Sequence, residues 1–573
     1  MFKMKSIPAA LLVALTAVPA WADPTSYTLP SGVKVIDIVP SNAAGVSHNT
    51  YSDFNVDRKG LILNNSIVDV TNTHGTISKN TNLRTGSASV ILNEVISSTN
   101  STLKGFIEVN GAKADVIIAN PNGIICAGCS FINTNKAILT TGKPNISTNG
   151  SIDSYTVDKG KIIIRDDGMY APNSFALVMA SAIDITGMIT AQNASISSGS
   201  FTLNNKTGVV TSAGKAAEGM LMAMPNYSLD ISRLGGIKAN SISMVGNDSG
   251  FGVRNKGTII ADSSLAIMSN GVLFNRGTIS SPSTRATQIV SAGKMTNTGT
   301  LSSNGTLVLS SNKGIDNEGT ITTSRQLMLT AAGGNLSNSG TINGTSMLMA
   351  TTAGNLDTTS GSQMLSDNTV SITAYKNVKN AGTIKGKNTN IAFKGTRLEV
   401  SGEIAANERI IIQSVGTNAL GTGAISNSGK INGKKVSIET LGNLSQSKNG
   451  AVKATDTLVV RSNELQNGGL LNGANSVDIA NNSTYNTTGT ISGKSVNIVT
   501  RNTLWNENNI IADNDMVLST QGVGNIVNRG TISAGENLTM TAKKVQNGSY
   551  KCGLFNLFTC KGGQISGKNV VVN

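Results

Sequence analysis

A chain of 573 residues is long enough for several globular cores or for one long repetitive one. Aromatic residues are only 4% while glycine reaches 62, which argues against large ring-filled cores and for a narrow interior of Val, Ile, Leu and Ala. Charged residues are 14% and the net charge is +14, yet Lys and Arg are scattered along the chain without a basic run or aromatic interleaving. That pattern fits a solvated cationic surface, with attraction to a glycan or membrane surface as the alternative and no nucleic-acid partner.

Residues 1–22 read as a secretory signal peptide: Lys3 and Lys5, an apolar segment from Ala9 to Val18, then Ala20-Trp21-Ala22 before Asp23. The apolar run is too short to span a bilayer, and no later membrane span is expected. The four cysteines fall in two local pairs, Cys126 with Cys129 and Cys552 with Cys560. An oxidising compartment favours closing both. From Asp23 to about Leu139, short apolar runs such as Val33–Val39, Leu61–Leu63, Ala88–Val95 and Val116–Ile118 alternate with Gly, Asn and Pro, without a helical period. Asn120-Pro121-Asn122-Gly123 predicts a tight turn: proline presets φ, Asn122 and Gly123 tolerate positive φ, and apolar sequence resumes at Ile124.

Beyond about Gly250 a unit of about 21 residues recurs. Asn255-Lys256-Gly257-Thr258-Ile259 returns at Asn275, Asn297, Asn317 and Asn338. The glycines Gly257, Gly277, Gly299, Gly319 and Gly340 step by 20, 22, 20 and 21. Gly382 follows 42 residues later, after a degenerate copy near Gly361, and related copies stand at Gly489 and Gly530. A second alternating strand occupies each period, as in Thr306–Leu309, Gln326–Leu329, Thr457–Val460 and Ser495–Ile498. Two or three short strands per period without helix predict an all-β chain. Its fold is a right-handed parallel β-helix with an amino-terminal cap and small extra-helical strands or hairpins. Glycine is expected at each corner for a turn conformation closed to other residues, and stacked asparagines to hydrogen-bond along the axis.

Little suggests catalysis. His48, in a Ser-His-Asn turn, and His74, beside Gly75, read as loop residues, and Asp166-Asp167 and Asp513 with Asp515 are too isolated to build a site. Gly493-Lys494-Ser495 lacks the earlier glycine of a phosphate loop. Cys126-x-x-Cys129 is compatible with a redox pair or half a zinc site, but a local structural disulfide is favoured in an exported chain. No enzyme activity, cofactor or metal is expected. Cys552 and Cys560 flank an apolar excursion that reads as a stapled loop, with an exposed Leu/Phe contact patch as the alternative. The final Val570-Val571-Val572-Asn573 suggests a shortened version of a longer repetitive protein, or a coil capped by another element.

Asn120-Pro121-Asn122-Gly123-Ile124, Cys126-x-x-Cys129, Phe131-Ile132-Asn133-Thr134 and Leu139-Thr140-Thr141-Gly142 together resemble the secretion domain of two-partner-secreted exoproteins. That family includes filamentous haemagglutinins, haemolysin-type cytolysins and contact-dependent inhibition proteins. Ser47-His48-Asn49, Phe54-Asn55-Val56 and Ala88–Val95 look similar too, and the later units resemble haemagglutinin repeats. The resemblance implies a signal peptide at 1–22, a secretion domain at 23–250 and β-helix repeats at 251–573. It further implies export through the periplasm by a dedicated outer-membrane β-barrel transporter whose periplasmic domains recognise the amino-terminal domain. The chain then coils up at the cell surface or is released. Asn120, Pro121, Asn122, Gly123 and Ile124 match the family's secretion motif, and Cys126 and Cys129 a pair found in some members; a second Asn-Pro-Asn motif of other members is missing. The implied function is that of a filamentous haemagglutinin-like adhesin meeting a receptor or glycan on a host or neighbouring cell. The alternatives are a truncated stalk of a contact-dependent inhibition toxin-delivery protein, a haemolysin-type cytolysin and, last, a polysaccharide-degrading β-helix enzyme.

Overall fold

The computed structural model describes residues 24–84, 86–213, 227–416, 423–548 and 562–573, with the backbone of two further short strands, Lys551–Cys552 and Phe558–Thr559. The expected signal peptide and the Cys552–Cys560 pairing lie outside the described residues. Within them the chain is all β, with no helix. It is the expected parallel β-helix, a solenoid of about 21 turns. At about 4.8 Å per rung, such a stack runs on the order of 100 Å.

One coil of the regular part illustrates why this sequence coils. Leu273–Asn275, Thr278–Ser281 and Thr287–Ser291 are its three strands. Each pairs in parallel with its equivalent one coil on: Leu273 with Met295, Thr278 with Thr300, Thr287 with Leu307. Thr278–Ser281 alternates half-buried and buried positions, and Thr300–Ser303, Thr320–Thr323 and Thr341–Gly344 repeat that alternation. Threonine therefore faces outward, and Ile279, Leu301, Ile321 and Ile342 stack into one buried column. A single apolar core runs from Ile36 to Met540. Downstream of residue 250, Phe393 is the one buried ring among the described residues. The cross-section has little space for more, which accounts for the aromatic-poor composition.

The asparagines form the expected ladder. Asn255 Nδ2 donates to Asn275 Oδ1 (2.9 Å), Asn275 to Asn297, Asn297 to Asn317 and Asn317 to Asn338 (2.8 Å each). Thr358 interrupts it, where the corner containing Gly361 is two residues longer: Asn338 to Thr341 becomes Thr358 to Gln363 in register. A second run links Asn427, Gln446, Asn467, Asn486, Asn506, Asn528 and Asn547. The expected role of the corner glycines is corrected. Gly277, Gly299, Gly319 and Gly340 do not take positive φ. Instead a Cβ on each would overlap the carbonyl oxygen of the glycine one coil earlier. Close axial approach, not turn conformation, demands glycine there.

The first part of the molecule is less uniform. Ser26–Thr28 pairs antiparallel with Lys34–Asp37 at the start of the stack. Register partners Val46 and Val90, Lys136 and Phe175, and Asn193 and Ser241 are 44, 39 and 48 residues apart. The extra chain leaves the solenoid as excursions. Val70–Asn72 and Gly75–Ile77 form a hairpin. Lys143–Ile146, Ile152–Val157, Phe201–Asn204 and Val210–Ser212 form a four-stranded antiparallel sheet. That sheet packs Tyr155, Val157 and Phe201 against Leu92, Ile117, Ile138 and Met179 on the outer face of the coils.

Candidate secretion-motif corner

Asn120-Pro121-Asn122-Gly123 joins two long strands. Ala114–Ala119 enters it, paired with Val90–Val95 below and Thr134–Thr140 above. Ile124–Ile132 leaves it, paired with Ser101–Leu103 below and with Lys161–Ala180 above. The corner is thus sandwiched between two neighbouring coils. Gly123 N donates to Asn120 O (3.1 Å), closing a four-residue turn with proline at its second position. Gly123 alone of the four takes positive φ, at +135°. A Cβ there would sit 2.9 Å from the Lys161 carbonyl oxygen of the next coil, so both conformation and space select glycine.

Asn120 is fully buried, and its amide has a complete set of partners. Nδ2 donates to Thr99 O (2.9 Å) and Ser101 Oγ (3.0 Å). Oδ1 accepts from Asn122 N (3.0 Å) and Asn122 Nδ2 (3.1 Å). Asn122 Nδ2 donates a second bond to Ser97 O (2.7 Å). Pro121 and Asn122 are half-buried, while Gly123 and Ile124 are buried. The motif therefore turns its first amide inward and shows solvent little more than the Pro121 ring and the edge of Asn122. The cradle is made by the backbone carbonyls of Ser97 and Thr99 and the Ser101 hydroxyl, so only Ser101 could have signalled it in the sequence.

Cys126 and Cys129 follow on the same strand, both fully buried, with their sulfur atoms bonded to each other. The strand carries a register irregularity between Ala127 and Cys129, and that kink brings two cysteines three apart onto one side. No cluster of three or more His, Cys, Asp or Glu side chains able to hold a metal occurs among the described residues.

The two histidines differ from each other. His74 occupies a turn, as expected, with its ring stacked on Phe106 and Nε2 3.5 Å from Glu108 Oε2. The loop assignment of His48 is corrected. It lies in the strand Val46–Tyr51 with Nε2 2.7 Å from Glu94 Oε2 on the adjacent coil, so cross-rung pairing places it rather than a turn. Its neighbour Asn49 is buried and bonds Val39 N, Ser47 O and Leu92 O. Asn64, Asn65, Asn80, Asn93 and Asn110 are likewise buried with hydrogen-bond partners. Beside this region, desolvation pushes the Asp115 carboxyl above the usual range, although Lys136 at 3.5 Å opposes the shift.

Comparison with known proteins fits this geometry. Residues 23–279 match the TPS secretion domain family. The chain is 33% identical over 395 residues to the tRNA nuclease CdiA of Yersinia mollaretii, covering 67% of this chain and 13% of that protein. It is 30% identical over 582 residues to the 16S rRNA endonuclease CdiA of Enterobacter cloacae, covering 95% and 16%. Toxin CdiA of Yersinia pestis is 38% identical over 275 residues, covering 48% and 8%. A crystal structure of the filamentous hemagglutinin secretion domain aligns with TM-score 0.46 and 30% identity, over 51% of this chain and 98% of that one. The chain spans about one sixth or less of the length of those three relatives. It belongs to the two-partner secretion exoproteins, which pass through the periplasm to the surface of Gram-negative bacteria or into the medium.

Proposed function

We propose that residues up to about 250 dock on a dedicated outer-membrane transporter, and that the repeats serve as an adhesin-like surface scaffold without enzymatic activity of their own. The observation that carries the docking reading is the Asn120–Gly123 corner inside a matched secretion domain. Every side-chain hydrogen bond of Asn120 is made within the chain, which supports a role in shaping the docking surface rather than in touching the transporter. The exposed part of the corner, Pro121 and Asn122, is where a partner has access.

The test is co-expression with the cognate transporter in a Gram-negative host, reading the fraction of chain released. Asn120→Ala is expected to abolish release and to lower protease resistance of the purified secretion domain together. Pro121→Ala, which leaves the amide network in place, is expected to retain release. Lost release with unchanged protease resistance in Pro121→Ala or Asn122→Ala would mean that the transporter reads these side chains directly.

A second reading has its own support: the relatives above carry nuclease and toxin names, and one aligns over 95% of this chain. On that reading the solenoid is the stalk of a toxin-delivery protein. A contact-dependent growth-inhibition assay of producing cells against non-producing neighbours separates the two, because only the delivery reading expects the neighbours to be inhibited.

A further inference from the structure

Charge that is scattered in the sequence is concentrated by coiling. Residues 376–461 contain 13 Lys and Arg against 5 Asp and Glu, a net +8 of the chain's +14 in about 15% of its length. Within this stretch the outward positions Lys385, Ala405, Asn432 and Lys453 fall in one axial column. Ala405 is buried at that outward position because its neighbours along the axis reach past it. The coil Glu403–Ser414 also has one residue more than its neighbours between Ala405 and Arg409, which pushes Asn407 and Glu408 outward. The result is a depression of about 540 Å³, floored by Ala405 and Ala406 and rimmed by Lys385, Lys430, Lys434 and Lys453.

Lys434 is engaged by Glu408 at 3.3 Å. Lys385, Lys430 and Lys453 have no ion-pair partner among the described residues; the nearest carboxylate in register, Glu403 opposite Lys430, accepts from Asn432 Nδ2. Lys385 and Lys453 are three rungs apart, about 14 Å. A second depression of about 470 Å³ adjoins it and presents Arg409 and Lys435. A row of cations on a straight, rigid stack suits a linear polyanion lying along the axis.

We propose that this groove binds an anionic polysaccharide, the lysines pairing with its carboxylate or sulfate groups while the small-residue floor admits the sugar rings. Neither depression is lined by an aromatic side chain. Base stacking is thereby missing, and a nucleic acid would find phosphate contacts alone. The proposal gives the surface scaffold a ligand class and rests on that reading only for where the ligand is met.

Purified released chain is titrated with dextran sulfate, polygalacturonate, neutral dextran and single-stranded DNA of matched charge, so that binding is measured apart from export. At least one anionic polysaccharide is expected to bind, more weakly as salt rises, with no binding of neutral dextran. The triple variant Lys385→Gln, Lys430→Gln, Lys453→Gln is expected to lose about tenfold or more in affinity, and the matching Lys→Arg triple to retain it. Equal loss in a control triple, Lys159→Gln, Lys206→Gln and Lys313→Gln, would reduce the effect to net charge and overturn the site. Tighter binding of the DNA than of both polysaccharides would overturn the ligand class, as would no loss in the Gln triple with its protease resistance unchanged.

Discussion

The secretion domain and the repeats both rely on buried asparagine amides, but they deploy them in opposite ways. In the repeats, each ladder amide meets the same atoms of the next coil, and Asn275, Asn297 and Asn317 are interchangeable. In the secretion domain, Asn120 meets Thr99, Ser101 and Asn122, and no other residue meets that set. Register steps tell the same story: 20 to 22 residues between the first ladder glycines, against 44, 39 and 48 where excursions leave the early coils. Redundant contacts make a region tolerant and extendable. Unique contacts make a surface that a partner can distinguish.

Substitutions sharpen that contrast. Asn120→Ala removes four hydrogen bonds and leaves buried donors and acceptors unmatched, so a loss of about 3 kcal/mol or more is expected in urea unfolding of the secretion domain. Gly319→Val is expected to be nearly as severe but local. Its Cβ overlaps the Gly299 carbonyl, so the two rungs must part, and hydrogen exchange should rise in the coils on either side and not at a distance. Asn317→Ala also removes four side-chain hydrogen bonds, so a loss approaching that of Asn120→Ala is expected, but confined to one of many like rungs and with export intact. Lost export in Asn317→Ala would erase the distinction between the two regions.

Two smaller effects test the edges. Asp115 has a raised pKa in the folded chain because burial disfavours its charge. Its protonated form is favoured by folding, so its contribution is fully present below the unfolded carboxyl pKa and is lost as pH rises through the folded value. Thermal unfolding of Asp115→Asn should therefore gain on the parent as pH rises through the mildly acidic range. The Thr358 hydroxyl already donates to Asn380 Oδ1, so Thr358→Asn mends the ladder on its other side, by offering Asn338 Nδ2 an amide oxygen. It is expected to raise stability by a few tenths of a kcal/mol, read as a small shift in the urea midpoint.

The solenoid was legible in the sequence because its period is written in recurring residues: the corner glycine, then an outward threonine, then an inward aliphatic residue, most often isoleucine. Coils without that spelling, such as the one carrying Gln446, were invisible, since glutamine fills the ladder position with a different side chain. The turn at Asn120 was legible from Pro121 and Gly123. Its cradle was not, because hydrogen bonding across coils leaves no periodic mark on Ser97 or Thr99. His48 was misplaced for the same reason, as Glu94 stands 46 residues away and reaches it only through the stacking of rungs. The basic groove was hidden because lysines on adjacent coils are about one period apart and look isolated in line.

The column of corner glycines has a consequence for how such molecules change length. Because each glycine rests on the carbonyl of its predecessor, the cut faces above Gly277 and above Gly319 present the same chemistry. Excising the segment between two such faces rejoins like to like, whereas removing a fraction of it sets a side chain where only hydrogen fits. Whole-period gain and loss is thus the natural unit of growth for this shaft, and additions of any other size must bulge out sideways, as the sheet beside the secretion motif does.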